Sequence, residues 1–235
     1  MLTKRLVLIA AALGLVPAIA SASPVTPTYT IEEVVNDLGG ELNVLGRVFT
    51  FTADSVTTTG PGPDASAISV TGVQMNGEVG FCFESQWAAG GLVDTTLRFK
   101  ATALCERPFE DNTLRIGEDV FVEGSGMVIV TENVYAEDPG ETTAPESIAD
   151  KMVYYVSAED NLLVDHQWFH APGQPGVPAS FAEIWVVKDI FLSAGPNSEA
   201  GLTTVYQTFS EVPEPATLAM LGLGLAGVLV RRRRR

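Results

Sequence analysis

RVFTFTADS, residues 47–55, alternates along its whole length. Val48, Thr50 and Thr52 point one way along an extended chain, while Phe49, Phe51 and Ala53 point the other. A period of two fits a strand and not a helix. The pattern spreads outward from there. ELNVLG leads into it, and AISVTGVQM, EVGFCFES, TTLRFKATALC, DVFVEGSGMVIVTEN, KMVYYVSA, SFAEIWVVKDIFLSA and LTTVYQTFS follow, rich in Val, Thr, Phe and Tyr. Gly/Pro clusters separate them: TTGPGPDAS, QMNGEV, AEDPGETTAPES and APGQPGVPAS. Short strands divided by such turns predict a mainly β single domain, a β-sandwich or jelly roll. One helix is expected in TIEEVVNDLGG, where Thr30 and Glu33 form a capping box and Gly39 stops the turn. The stretch before it, SPVTPT, reads as flexible.

The two ends differ from this body. Residues 1–22 hold a basic start (Lys4, Arg5), an apolar run from Leu6 to Ile19 and the small-residue exit Ala20-Ser21-Ala22. That order of features predicts a secretory signal peptide with a signal helix, cleaved after Ala22. Signal peptidase and the export machinery are therefore expected partners. At the other end, Ala216–Val230 is apolar and Arg231, Arg232, Arg233, Arg234 and Arg235 close the chain. As a helix the apolar run spans about 22 Å against a hydrocarbon core of about 30 Å. Arginine stems lengthen such a short span by reaching the interface. Moving five positive charges against about 100 mV costs on the order of 11 kcal/mol, so the arginines read as a stop-transfer signal on the cytoplasmic side. Just outside lies Val212-Pro213-Glu214-Pro215, which two prolines hold extended and accessible.

Pro213-Glu214-Pro215, the apolar stretch 216–230 and the arginine tail 231–235 together resemble the PEP-CTERM sorting signal of Gram-negative bacteria. QTFSEVPEPATLAMLGLGLAGV, residues 207–228, is similar to the usual surroundings of that signal. The resemblance implies recognition by exosortase, a membrane-embedded cysteine protease that cuts near the motif. It also implies an association with extracellular polysaccharide and biofilm matrix. It covers the last 25 or so residues and says almost nothing about the body. The chain thus divides into a signal peptide (1–22), an exported β-domain (23–211) and a sorting signal (212–235) with a transmembrane helix over 216–230. The expected route is transient anchoring in the inner membrane, then release to the cell surface or exterior. GLGLAG (222–227) fits G-x-G-x-x-G, but the chain ends eight residues later, leaving no room for a βαβ unit. Its glycines suit close helix packing instead.

The ends hold seven of the 14 basic residues and one of the 29 acidic ones, so the exported part carries 7 positive and 28 negative charges, net −21. That charge excludes nucleic acid as a partner. It also repels polyanionic polysaccharide, while neutral glycans and cations remain. Cys82 and Cys105 form an even pair in an oxidising compartment, which predicts one disulfide, with the turn-like AAGG (88–91) folding the two strands into a hairpin.

Candidate chemistry is sparse. Glu132–Asp150 carries six carboxylates and no base, which reads as a solvated loop or a calcium site; it lacks the D-x-D-x-D-G spacing. The two histidines, His166 and His170, are four apart with Asp165 beside them, a set suited to zinc except that no third convergent ligand is visible. Trp87, Trp168 and Trp185 are the candidates for stacking on sugars, Trp168 foremost and Trp185 in a core strand. G-x-S-x-G, S-x-x-K and H-E-x-x-H are all absent. No cofactor is expected. The leading expectation is a non-enzymatic surface or matrix protein; the alternatives are a carbohydrate-binding module and a secreted hydrolase that uses carboxylates or the histidine pair.

Overall fold

The computed structural model describes residues 22–104, 107–140 and 145–211. The chain enters through β1 (Ser23–Thr30) and α1 (Ile31–Asp37), then forms β2 (Glu41–Val44), β3 (Arg47–Thr50) and β4 (Val56–Thr59). Four strands follow: β5 (Ser69–Met75), β6 (Glu78–Ala89), β7 (Leu92–Ala103) and β8 (Phe109–Ile116). Next come β9 (Phe121–Glu123), β10 (Gly126–Tyr135), β11 (Ser147–Tyr155), β12 (Asn161–Leu162) and β13 (Val164–Trp168). β14 (His170–Ala171), β15 (Gln174–Pro178), β16 (Glu183–Ala194) and β17 (Glu199–Glu211) complete the body.

One sheet runs β1-β5-β6-β17-β8-β13 with β9 added on β17. The other runs β12-β11-β10-β16-β7-β3-β2 with β4 added on β7, and β14-β15 is a separate ribbon. The pairings are antiparallel, and the two large sheets bury a single hydrophobic core between them. The alternation of residues 47–55 holds as far as Thr52 and then fails, because the strand ends at Thr50 and a turn follows that leaves Ala53 exposed and Ser55 buried. Phe49 and Phe51 are buried, whereas Thr50 is half-buried and Thr52 exposed. Phe49 meets Phe81 of the opposite sheet edge to face at 4.7 Å, and Phe81 meets Phe99 at 4.9 Å. Phenylalanines from both sheets thus interleave, each contributing about 1.5–3 kcal/mol through burial.

α1 begins as expected. Thr30 Oγ1 accepts from the Glu33 amide at 3.1 Å while the Glu33 carboxylate accepts from the Thr30 amide at 2.7 Å. Leu38 caps the other end, and Gly39 takes the left-handed conformation (φ 69°) that releases the chain.

Several expectations are corrected. SPVTPT is not loose. It lies in edge strand β1, whose register on β5 is broken between Pro24 and Thr28, because proline has no amide to give the ladder. ELNVLGRVFTFTADS is not one strand, since Leu45 (φ 50°) and Gly46 (φ 85°) make a two-residue turn between β2 and β3. DVFVEGSGMVIVTEN likewise splits around Gly124 (φ 82°). β8, FEDNTLRI, was not among the expected strands. Its run of Glu, Asp and Asn hides the inward row of Phe109, Asn112, Leu114 and Ile116. The acidic stretch 132–150 is not all loop: its first four residues belong to β10 and its last four to β11.

AAGG does not make a β6–β7 hairpin. β6 and β7 lie in different sheets, so this turn carries the chain across the sandwich. Phe81 and Phe83 face the core, so Cys82 between them faces outward from the seven-stranded sheet. Cys82 carries a free, buried thiol, and the described residues contain no disulfide; Cys105 lies outside them. The expected signal helix and the 216–230 transmembrane helix also lie outside them. Among the described residues no helix is long and apolar enough to cross a membrane.

Candidate functional site

The outer face of the seven-stranded sheet carries two enclosed polar atoms without a hydrogen-bond partner, Asp111 Oδ1 and Ser210 Oγ. Trp168 of β13 stands opposite Asp111 of β8, and Asp111 stands opposite Ser210 of β17. Phe209 of β17 pairs with Val79 of β6, so one step further along the ladder Ser210 comes level with Glu78. Directly opposed residues share a face. In the next row His166 opposes Thr113, which opposes Thr208. Four strands therefore bring Glu78, Asp111, His166 and Trp168 to one patch. The ligand atoms of Glu78, Asp111 and His166 all lie within 4.8 Å of one another.

A bulge places Asp111 there. Glu211 pairs with Phe109 and Ser210 with Asp111, so Glu110 is the extra residue. Were Glu110 paired in regular register, Asp111 would oppose Phe209 and face the core, and Asn112 would face out. The Asp111 side chain is only 4% exposed, and its Oδ2 lies 3.3 Å from His166 Nε2. Its Oδ1 is enclosed without a hydrogen-bond partner, as is Ser210 Oγ. Glu78 is held by a hydrogen bond that Thr208 Oγ1 donates to its Oε2. The His166 and Trp168 rings meet edge to face at 5.7 Å.

Trp168 is 60% exposed. Beside it a concavity of about 400 Å³ is lined by Glu110, Phe169, Pro178, Ala179 and Ser180. Partial burial, then the neighbouring Asp111 charge, pushes the Glu110 carboxyl above its ordinary value. The other tryptophans serve elsewhere. Trp87 is 1% exposed in the core. Trp185 is half-buried and packs beneath Arg98 and Lys100 at 5.4 and 5.8 Å.

The expected metal set does not assemble. His166 and Asp165 are neighbours on a strand and so face opposite ways. Asp165 Oδ2 accepts the Met152 amide at 3.0 Å, and Gln167 Oε1 accepts the Asp150 amide at 3.2 Å. Both side chains seal the open edge of β11. His170 belongs to the β14–β15 ribbon and lines a cavity of about 470 Å³ with Glu146 and Asp150. Among the described residues, the one group of three convergent ligands is Glu78, Asp111 and His166. Glu78 and Asp111 carry no local motif; the signal that would find them is the ladder itself, which unites residues 78, 111 and 166 only once the strands are paired.

A second polar cluster lies inside the sandwich. Glu132 of β10 sits between Lys151 of β11 and Lys188 of β16, directly opposite each across the ladder. All three are buried. Glu132 Oε1 accepts from Lys151 at 3.0 Å and from Asn112 Nδ2 at 2.6 Å, and Oε2 accepts from Lys188. Lys188 also donates to Gln207 Oε1 at 2.8 Å, and Lys151 to Asn112 Oδ1. Burial alone would raise the Glu132 carboxyl, but the two ammonium charges and their hydrogen bonds outweigh it and hold the group at about 2. Burial pushes Lys188 below its ordinary value, with Glu132 opposing. The two shifts agree: one carboxylate serving two ammoniums is over-compensated, and each ammonium is under-compensated.

Residues 211–235 match the family model of the PEP-CTERM protein-sorting motif. No curated protein matches the chain. A solved structure of TmCBM61 in complex with β-1,4-galactotriose is similar over 77% of this chain and 99% of its own, at 8% identity and a TM-score of 0.29. A score that low carries no argument about this chain.

Proposed function

We propose, taking as premise a chain that carries the PEP-CTERM sorting motif, that the sandwich is a non-catalytic cell-surface or matrix domain that exosortase delivers to the cell exterior. The match over residues 211–235 is the observation that carries the delivery. The short apolar run and its arginines supply a temporary tether, and Pro213-Glu214-Pro215 marks the segment for the protease. With 7 positive against 28 negative charges, the exported body stays soluble and repels polyanions.

Once outside, the sandwich meets neutral glycan through Trp168. A mostly exposed indole beside a concavity with one carboxylate offers a sugar a flat apolar face and a hydrogen-bond acceptor. Trp168 is the one tryptophan of the three placed for this, and that exposure favours glycan binding over a purely structural role.

Fractionation tests the delivery. Replacing Pro213 and Pro215 with Ala, or deleting the exosortase, should hold the protein in the membrane fraction; an unchanged extracellular yield would refute the route. An array of neutral glycans tests the contact. Binding that disappears in Trp168→Ala is expected, and an array without signal for the wild type sinks it.

A further inference from the structure

The geometry points to a divalent-cation site of the zinc type formed by Glu78, Asp111 and His166 on the outer face of the seven-stranded sheet. A cluster of acids alone would not suffice, because exposed carboxylates gather without ions. Here one member is buried with a free oxygen: Asp111 Oδ1 is enclosed and lacks a hydrogen-bond partner. A buried carboxylate oxygen left that way is desolvated without compensation. The His166 contact satisfies Oδ2 only, so an ion pair explains half of the carboxylate and leaves the other half without a reason. Ser210 Oγ, across the ladder from Asp111, is enclosed and unpartnered in the same way.

The donor set selects the ion. One imidazole nitrogen and two carboxylates suit zinc and its first-row neighbours, whereas calcium prefers six or more oxygens. Four ligands at about 2.1 Å in a tetrahedron stand about 3.4 Å apart. His166 Nε2 and Asp111 Oδ2 already stand 3.3 Å apart, and an ion bound by both oxygens of the Asp111 carboxylate would also occupy Oδ1. The third ligand comes from Glu78, whose other oxygen is held by Thr208, the kind of outer hydrogen bond that orients a ligating carboxylate. Two carboxylates and a neutral imidazole cancel the charge of the ion. Three protein ligands leave one position open, close to the Trp168 ring that abuts His166.

The site also has a mechanical consequence. Glu78 lies on β6, Asp111 on β8 and His166 on edge strand β13. A bound ion would tie that edge to the middle of the sheet, where five paired residues now hold it.

The extracellular protein, stripped with a chelator and dialysed, is titrated with zinc chloride by calorimetry, with the thermal midpoint read in parallel. One equivalent should bind and raise the midpoint. His166→Gln and Glu78→Gln change partly exposed side chains and keep a hydrogen-bonding amide at each place, so both variants should fold, and each is compared with its own metal-free midpoint. Each should weaken zinc by at least about tenfold, since loss of a supporting hydrogen bond alone costs that much, and each should abolish the midpoint rise. Trp168→Ala should bind zinc normally, which separates this site from the glycan reading. Absence of saturable binding, equal affinity in His166→Gln, or tighter binding of calcium than of zinc would each overturn the assignment.

Discussion

The two polar clusters are built from the same ladder and face opposite ways. Inside, Lys151, Glu132 and Lys188 sit side by side on adjacent strands, with Asn112 and Gln207 reaching across from the facing sheet. Both oxygens of Glu132 are occupied. Outside, Glu78, Asp111 and His166 converge, yet Asp111 Oδ1 has nothing to accept from. The first cluster is closed and the second open. Burial of a charge demands partners, and a molecule that meets the demand fully at one cluster and only half at the other differs there for a physical reason. A closed cluster rigidifies a core; an open one leaves a group free to take a ligand.

The largest expected effect breaks the closed cluster. Glu132→Gln leaves two buried ammoniums without their anion and should cost about 3–5 kcal/mol in urea unfolding. Lys188→Met removes one ammonium and leaves a neutral Glu132–Lys151 pair, so it should cost clearly less. If the two substitutions cost the same, the reading of a single carboxylate shared by two cations is wrong.

Acid gives the next largest effect. The Glu132 carboxyl is held at about 2 in the folded chain, against an ordinary 4.5. A depressed carboxyl contributes stability that is present above the ordinary value and is lost as the folded group protonates. The loss should run between about pH 4.5 and pH 2, to a total on the order of 3 kcal/mol. Glu132→Gln should flatten that part of the stability profile, and an unflattened profile would mean that other carboxylates carry it.

The smallest effects belong to the open side. Asp111→Asn replaces a half-satisfied charge by an amide, so metal-free stability should move by less than about 1 kcal/mol. Trp168→Ala should stay within about 0.5 kcal/mol, because the ring is mostly in water. A large loss from either would place the outer patch among the structural elements and close the gap between the two clusters.

Strands with strong alternation were legible in the sequence, and so was α1, whose cap depends on residues three apart. What local pattern could not show was which strands pair. Lys188 and Lys151 look like ordinary surface lysines within their strands, and only the two-sheet arrangement puts them in the inward row beside Glu132. β8 escaped notice because polar Asn112 occupies an inward position and the bulge at Glu110 shifts the alternation. The same bulge turns Asp111 outward, so the missed strand and the missed ligand have one cause. His166 was visible as a ligand type, but its neighbours in sequence face away from it. Its companions come from 55 and 88 residues earlier in the chain. The tail is the reverse case. Its signal consists of contiguous residues, so sequence alone found the sorting motif.

Intact mass of the protein recovered outside the cell tests the whole account most directly. A species that begins after Ala22 and lacks Arg231–Arg235 is the predicted result. An extracellular species that retains the five arginines would contradict delivery by a severed tether.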